Sequence, residues 1–355
     1  MLQALVGAAL LQANAAPPLH PPPWLSMPVS GRAAHATMRI QVITDIDDTI
    51  KSSGGLALAN IPLGGVDTSY ARGSYYPGVF HFAAALAAAS FLGPPAPVAV
   101  LTARAEEFKI FLEIKQSDRL CLGFKDAGAS RGLIDWGVGP VLYGSVQEWI
   151  FQERKGWRKF ENFKKLYAQN AEAEGGAGPL GRATRGSLQY VFIGDNGSSE
   201  KDLEAAERII AEFPDALSAV FLHAVSGDEQ PAPLPEDGDC DGVPVRYFRT
   251  YATAAAKACS LGLIGAGGAR KVLDAIEADL GAGKHSASGS CPTGSPNEML
   301  LRREIAAARG QIGGGAAVAA AAGRGTLGVL GRPLRLLRLG KKRPRRKNND
   351  GASDR

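Results

Sequence analysis

The chain has 355 residues, 45% hydrophobic and 21% charged, which is enough apolar material for one large or two modest folded domains and excludes a wholly disordered chain. Its net charge of +5 is uneven: Gly331–Arg355 holds ten Lys/Arg and two Asp, a local +8, so the preceding residues sum to −3 and the basic character belongs to a tail. Four scattered cysteines, Cys121, Cys240, Cys259 and Cys291, form no C-x-x-C, which argues against a zinc site or a disulfide scaffold and fits a reducing compartment.

Residues 1–38 carry no acid. Their apolar run Leu2–Leu11, the triplet Ala13-Asn14-Ala15 and the proline cluster Pro17–Pro23 read either as a signal-like targeting segment or as a disordered leader. A folded body is expected from 39 to 280. Arg39–Thr44 predicts a buried strand, Pro77–Leu92 a helix, Pro97–Leu101 a second buried strand and Glu106–Lys115 a helix. Val141–Tyr143 suggests a short strand. Lys155–Asn170 predicts a helix, with Trp157, Phe160, Phe163 and Leu166 near a 3.6-residue spacing. Gln189–Ile193 and Leu217–His223 read as two more buried strands, separated by a helix at Glu200–Phe213. Continuous apolar strands that alternate with helices imply an α/β fold with a parallel sheet covered on both faces. Residues 281–355 read as a low-complexity Ala/Gly/Ser linker, with one helix at Asn297–Arg309, followed by the basic tail.

The segment richest in chemistry is Ile43-Thr44-Asp45-Ile46-Asp47-Asp48-Thr49-Ile50-Lys51. Its three carboxylates follow a buried strand, where their repulsion is costly unless a cation or phosphate chemistry uses them. The carboxyl edge of a parallel sheet is where ligands bind in such folds. Asp45 beside a divalent cation can act as a carboxylate nucleophile toward phosphorus. Asp47 can protonate the leaving oxygen and later take a proton from water. A hard cation such as Mg²⁺ would offset charge between these acids and a phosphate. The plainer reading is an acidic turn that caps a helix.

The D-x-D-x-T pattern of Asp45, Asp47 and Thr49 resembles the first motif of the haloacid dehalogenase (HAD) superfamily of phosphohydrolases. The resemblance implies a three-layer α/β/α Rossmann-like fold with small cap insertions, Asp45 as the residue that becomes an aspartyl-phosphate, and Asp47 as general acid/base and carbonyl ligand to Mg²⁺. Thr102, after Val98-Ala99-Val100-Leu101, matches the second motif and would hold a phosphoryl oxygen. Lys159 matches the third, with Lys155 as the alternative. Gly194-Asp195, after Tyr190-Val191-Phe192-Ile193, matches the fourth and makes Asp195 a Mg²⁺ ligand; the further acid is Glu200 or Asp202.

The wording around these motifs is more particular. Asp45-Ile46-Asp47-Asp48-Thr49-Ile50-Lys51, Tyr76-Pro77-Gly78-Val79-Phe80 and Phe192-Ile193-Gly194-Asp195-Asn196-Gly197 are similar to the catalytic domain of the actin-patch phosphatidate phosphatase family, over roughly residues 39–265. That resemblance implies Mg²⁺-dependent hydrolysis of phosphatidate to diacylglycerol. Leu101-Thr102-Ala103-Arg104 departs from that family's serine and asparagine, so a soluble phosphometabolite or a nucleic-acid end stands as the alternative substrate, and a non-catalytic HAD-like adaptor as the alternative outside enzymes. In the tail, Leu334, Leu336, Leu337 and Leu339 interleave with Arg335 and Arg338 ahead of Lys341-Lys342-Arg343-Pro344-Arg345-Arg346-Lys347. This suits contact with an anionic membrane, an import address or nucleic-acid contact, or a solvated end. No nucleic-acid contact is expected for the body. A cytoplasmic or membrane-peripheral location is favoured, although the two ends give conflicting address signals.

Overall fold

The computed structural model describes residues 38–55, 57–58, 61–62, 65–89, 94–105, 115–144, 154–175, 187–196, 201–225, 233–282 and 292–325. The chain divides into Met1–Gly315 and Ala316–Arg355. The sheet and the site lie in the first unit; the described part of the second is the end of a helix.

Strand β1 (Met38–Thr44) explains the architecture. Side chains alternate across a strand. Val42 therefore enters one apolar cluster and Ile43 another. The same alternation holds in β4 (Val98–Ala105), β6 (Ser187–Asp195) and β7 (Leu217–His223). Val100, Val191 and Phe221 fall in the first cluster; Leu101, Phe192 and Leu222 fall in the second. A sheet buried on both faces needs apolar residues at every position, which is why these strands read as unbroken runs.

The sheet has seven strands in the order β5-β4-β1-β6-β7-β9-β8, with β5 at Val138–Gly144, β8 at Gly238–Cys240 and β9 at Val243–Phe248. All pairings are parallel except the β8–β9 hairpin. A separate two-stranded hairpin, β2 (Ala57–Leu58) with β3 (Ile61–Pro62), follows the acidic turn.

Helices α1 (Val79–Ala88), α2 (Arg119–Ala129), α5 (Tyr251–Ser260) and α6 (Ala266–Ala282) bury residues in the first cluster. Helices α3 (Lys155–Gly175) and α4 (Asp202–Glu212) cover the other face through Phe160, Phe163, Ala206 and Ile209. The result is an α/β fold of three layers. The chain leaves β1 toward β4 and β5 on one side and returns to β6 and β7 on the other. The strand order thus reverses beside β1, the kind of switch point at whose carboxyl edge open α/β sheets bind ligands.

Several elements differ from the sequence expectations. The helix expected at Glu106–Lys115 lies outside the described residues except for Lys115, which is not helical. Helix α2, which no pattern announced, contains Gly123 and Gly128. A β-carbon on Gly123 would sit 2.6 Å from the Phe80 ring, and one on Gly128 2.7 Å from Trp136, so close packing requires glycine at both positions. The helix expected at Asn297–Arg309 is present as α7 (Pro296–Gly325), longer than expected, and it buries Leu301, Ile305, Ala308 and Ile312 in the first cluster rather than standing in a linker. Cys121, Cys240 and Cys259 are free thiols. Among the described residues no helix is long and apolar enough to cross a membrane.

Candidate active site

The site begins where β1 ends. The Asp45 N–H donates to the carbonyl of Ile193 at 3.1 Å, which extends the β1–β6 pairing by one residue and fixes Asp45 at the sheet edge. Its side chain is buried, at 1% exposure. The chain then turns: Ile50 N–H and Lys51 N–H both donate to the carbonyl of Ile46, at 2.8 and 3.1 Å. Asp47, inside this turn, is half-buried. Asp48 is fully buried with a φ of 58°.

Asp48 has a structural task. Its Oδ1 accepts from Ser53 N–H at 2.8 Å, and its Oδ2 accepts from Val66 N–H at 2.5 Å and Asp67 N–H at 2.8 Å. Those three bonds fasten both ends of the segment carrying the β2–β3 hairpin to the acidic turn. Burial pushes the Asp48 carboxyl above its usual range, while the Ser53 and Asp67 N–H groups pull it back. Of the residues that brace this region, Tyr76 entered the sequence reading only within a motif of the resemblance, and Tyr251 and His223 drew no functional expectation. Tyr76 Oη donates to Asp67 Oδ2 at 2.7 Å. Tyr251 Oη donates to the carbonyl of Thr49 at 2.7 Å. His223, the last residue of β7, lies with Nδ1 2.7 Å from the carbonyl of Asp48. The signal for His223 was its place at the carboxyl end of a buried strand.

Lys159 enters from α3. Its Nζ lies 3.1 Å from Asp45 Oδ2 and also pairs with Asp202 Oδ1. Asp202, the first residue of α4, turns its other oxygen back to accept from Asp195 N–H at 3.0 Å. Gly194 makes this approach feasible: a β-carbon there would sit 2.4 Å from Asp202 Oδ2. Asp45, Asp195 and Asp202, all buried, each offer an oxygen within 4.8 Å of the others. Residues separated by up to 157 positions thus meet because β1 and β6 are neighbours and α3 packs on α4.

Thr102 is buried on β4, the strand beside β1, two residues past the partner of Thr44, and so lies toward the same edge. Of the two candidate lysines, Lys159 reaches Asp45; Lys155, equally buried, sits one turn earlier on α3. Of the two candidate outer acids, Asp202 joins the cluster, and Glu200 lies outside the described residues. Trp136 is buried and donates to the carbonyl of Ala96 at 2.9 Å.

The electrostatics of this cluster are severe. At an effective dielectric of about 20, two ionised carboxylates 4.8 Å apart repel by about 3 kcal/mol. The Lys159 ammonium pairs with both Asp45 and Asp202 and so relieves part of this repulsion. An all-oxygen donor set with surplus negative charge suits a hard divalent cation. The residues present therefore fit Mg²⁺.

Comparison with known proteins adds little. No family model matches the sequence, and no curated protein matches it. One similar solved structure is a protein from Mesorhizobium loti provisionally described as a HAD-like phosphatase, at 16% identity and a TM-score of 0.29, with 70% of this chain and 91% of that chain covered. A likeness this distant carries no argument about the site.

Proposed function

We propose that the protein is a Mg²⁺-dependent phosphomonoester hydrolase of the HAD type. The observation that carries the proposal is the buried Lys159, which links Asp45 to Asp202 beside Asp195 at the carboxyl end of β1. The Asp45 carboxylate attacks phosphorus and the ester P–O bond breaks. Asp47 gives its proton to the departing alkoxide. Water then attacks the acyl phosphate with Asp47 as base, which releases inorganic phosphate and restores both carboxyl groups. Lys159 offsets the charge on Asp45 and on the transferring group, and the Thr102 hydroxyl holds a phosphoryl oxygen. Asp45, Asp195 and the Asp47 carbonyl would hold Mg²⁺, whose charge would offset that of the acids and the phosphate. Asp202 engages Lys159 with one oxygen and the Asp195 N–H with the other, which supports a positioning task for it.

We further propose phosphatidate as the substrate. The sequence around Asp45, Tyr76 and Asp195 supports this choice, and the basic tail would bring the enzyme to an anionic membrane where such a lipid resides. The test is inorganic phosphate release from phosphatidate in mixed micelles and from a panel of soluble phosphomonoesters, with Mg²⁺ and with EDTA. Mg²⁺-dependent release mainly from phosphatidate, abolished in a folded Asp45→Asn protein, is expected. Release mainly from a soluble ester removes the lipid assignment and keeps the mechanism. Full activity in Asp45→Asn removes the mechanism.

A further inference from the structure

The acidic turn is held from outside itself. Asp48 adopts a left-handed backbone, unusual for a residue with a β-carbon, and such conformations persist only where surrounding contacts over-determine them. Two successive carbonyls of the turn face buried side chains from distant elements. The Asp48 carbonyl lies 2.7 Å from His223 Nδ1, and the Thr49 carbonyl accepts from Tyr251 Oη at 2.7 Å. Burial holds the Tyr251 phenol far above its usual range, so it remains a donor.

His223 reaches in two directions. Its Nε2 lies 3.1 Å from the carbonyl of Arg249, just before Thr250, whose Oγ1 accepts from Thr253 N–H and caps α5. Carbonyl oxygens only accept, so each ring nitrogen makes its bond when it carries hydrogen. The ring itself is wedged. Tyr76 meets it edge-on at 4.4 Å between centroids, and Phe248 stacks on it at 5.2 Å. The imidazole is 4% exposed. A buried, wedged ring is a rigid bracket between the start of α5 and the turn that presents Asp47.

We propose that His223 and Tyr251 are positioning residues, a pair of buried donors that grips the consecutive carbonyls of Asp48 and Thr49 and so fixes Asp47 for proton transfer. This deepens the phosphatase reading and rests on it. A displacement of about 1 Å in a reacting group can cost about 10²-fold in rate.

The decisive variant is His223→Phe, which keeps an aromatic ring between Tyr76 and Phe248 and removes both nitrogens. Against the ester that the wild-type protein hydrolyses best, kcat should fall by about 10²-fold with KM within about twofold. His223→Gln, which retains an amide donor, should recover part of the loss. Tyr251→Phe should lower kcat in the same way, and the two losses should not add, because both groups hold one turn. Amide hydrogen exchange supplies the second readout. The Ile50 and Lys51 amides, which close the turn, should exchange about tenfold faster in His223→Phe, while those of Val191 and Val220 in the sheet keep their protection. Unchanged kcat, or faster exchange spread equally over the sheet, would overturn the proposal. If the wild-type protein releases phosphate from no ester, the phosphatase reading falls by itself. The exchange comparison then still decides whether these donors hold the turn, and unchanged rates at Ile50 and Lys51 sink the clamp.

Discussion

Removing the Lys159 ammonium should unbalance the acids it serves. Lys159→Met keeps most of the buried stem and deletes the charge. At an effective dielectric of about 20, the 3.1 Å contact with Asp45 alone is a gross attraction of about 5 kcal/mol. Part of that is already offset by the cost of burying the ammonium, and breaking one partner of a buried pair costs about 3–5 kcal/mol in practice. Here the remaining groups are three buried carboxylates within 4.8 Å of one another, so the upper part of that range is expected. For a domain of this size, a loss of that order lowers Tm by roughly 10 °C. The assay is thermal and urea unfolding in EDTA at neutral pH, with circular dichroism to check the native state. Lys159→Met/Asp202→Asn should recover part of the loss, because it removes one of the opposing acids and keeps an oxygen for the Asp195 N–H. A Tm within about 2 °C of wild type for Lys159→Met would refute the claim that this lysine compensates the cluster.

Two further outcomes follow from particular contacts. Gly194→Ala would drive a methyl group into Asp202, so Asp202 must withdraw from Lys159 or from the Asp195 N–H. A loss of about 1–3 kcal/mol in urea unfolding, together with a higher Mg²⁺ requirement for phosphate release, is expected; a neutral effect on both would show that Asp202 has room to move. Glu298, at the start of α7, accepts the Gly294 N–H and both Arg302 Nε and Nη2, and these contacts hold its carboxyl below its usual range. Its stabilisation is therefore present above the unfolded-state value of 4.5 and is lost as pH falls through the lower folded-state value. Glu298→Gln should lower the urea midpoint at neutral pH, with the difference from wild type vanishing in strong acid; a gap of constant size across the titration would show that the charge is not involved.

Strands β1, β4, β6 and β7 were legible because a sheet buried on both faces writes itself as apolar runs, as in Val98–Leu101 and Tyr190–Ile193, whereas β9 was not, its run being broken by Pro244 and Arg246. Helices α5 and α6 were not legible either. In α5 the buried positions Ala252, Ala254, Ala255, Ala256 and Ala258 are all alanine, a weak apolar signal beside the polar stripe of Thr253, Lys257 and Ser260. Helix α2 was hidden by the glycines its packing demands. In the site, Asp45 and Asp195 stood out because each ends an apolar strand. The choice between Glu200 and Asp202 depended on where α4 begins, and helix boundaries are poorly marked in sequence. For His223 the strand end marked the place but not the task, because the carbonyls it faces lie 175 and 26 positions away in the chain.

The crowding of Asp45, Asp195 and Asp202 also makes the protein a sensor of its own occupancy. The folded state gathers these acids and the unfolded chain disperses them. Any ion or anion–cation pair that settles their charge therefore binds the native form selectively, and at 100 times its dissociation constant it raises stability by about 2.7 kcal/mol. The melting curve becomes a reporter that needs no turnover. Lipids, nucleotides and sugar phosphates can be ranked with Asp45→Asn, in which chemistry is blocked, by how far each shifts the transition.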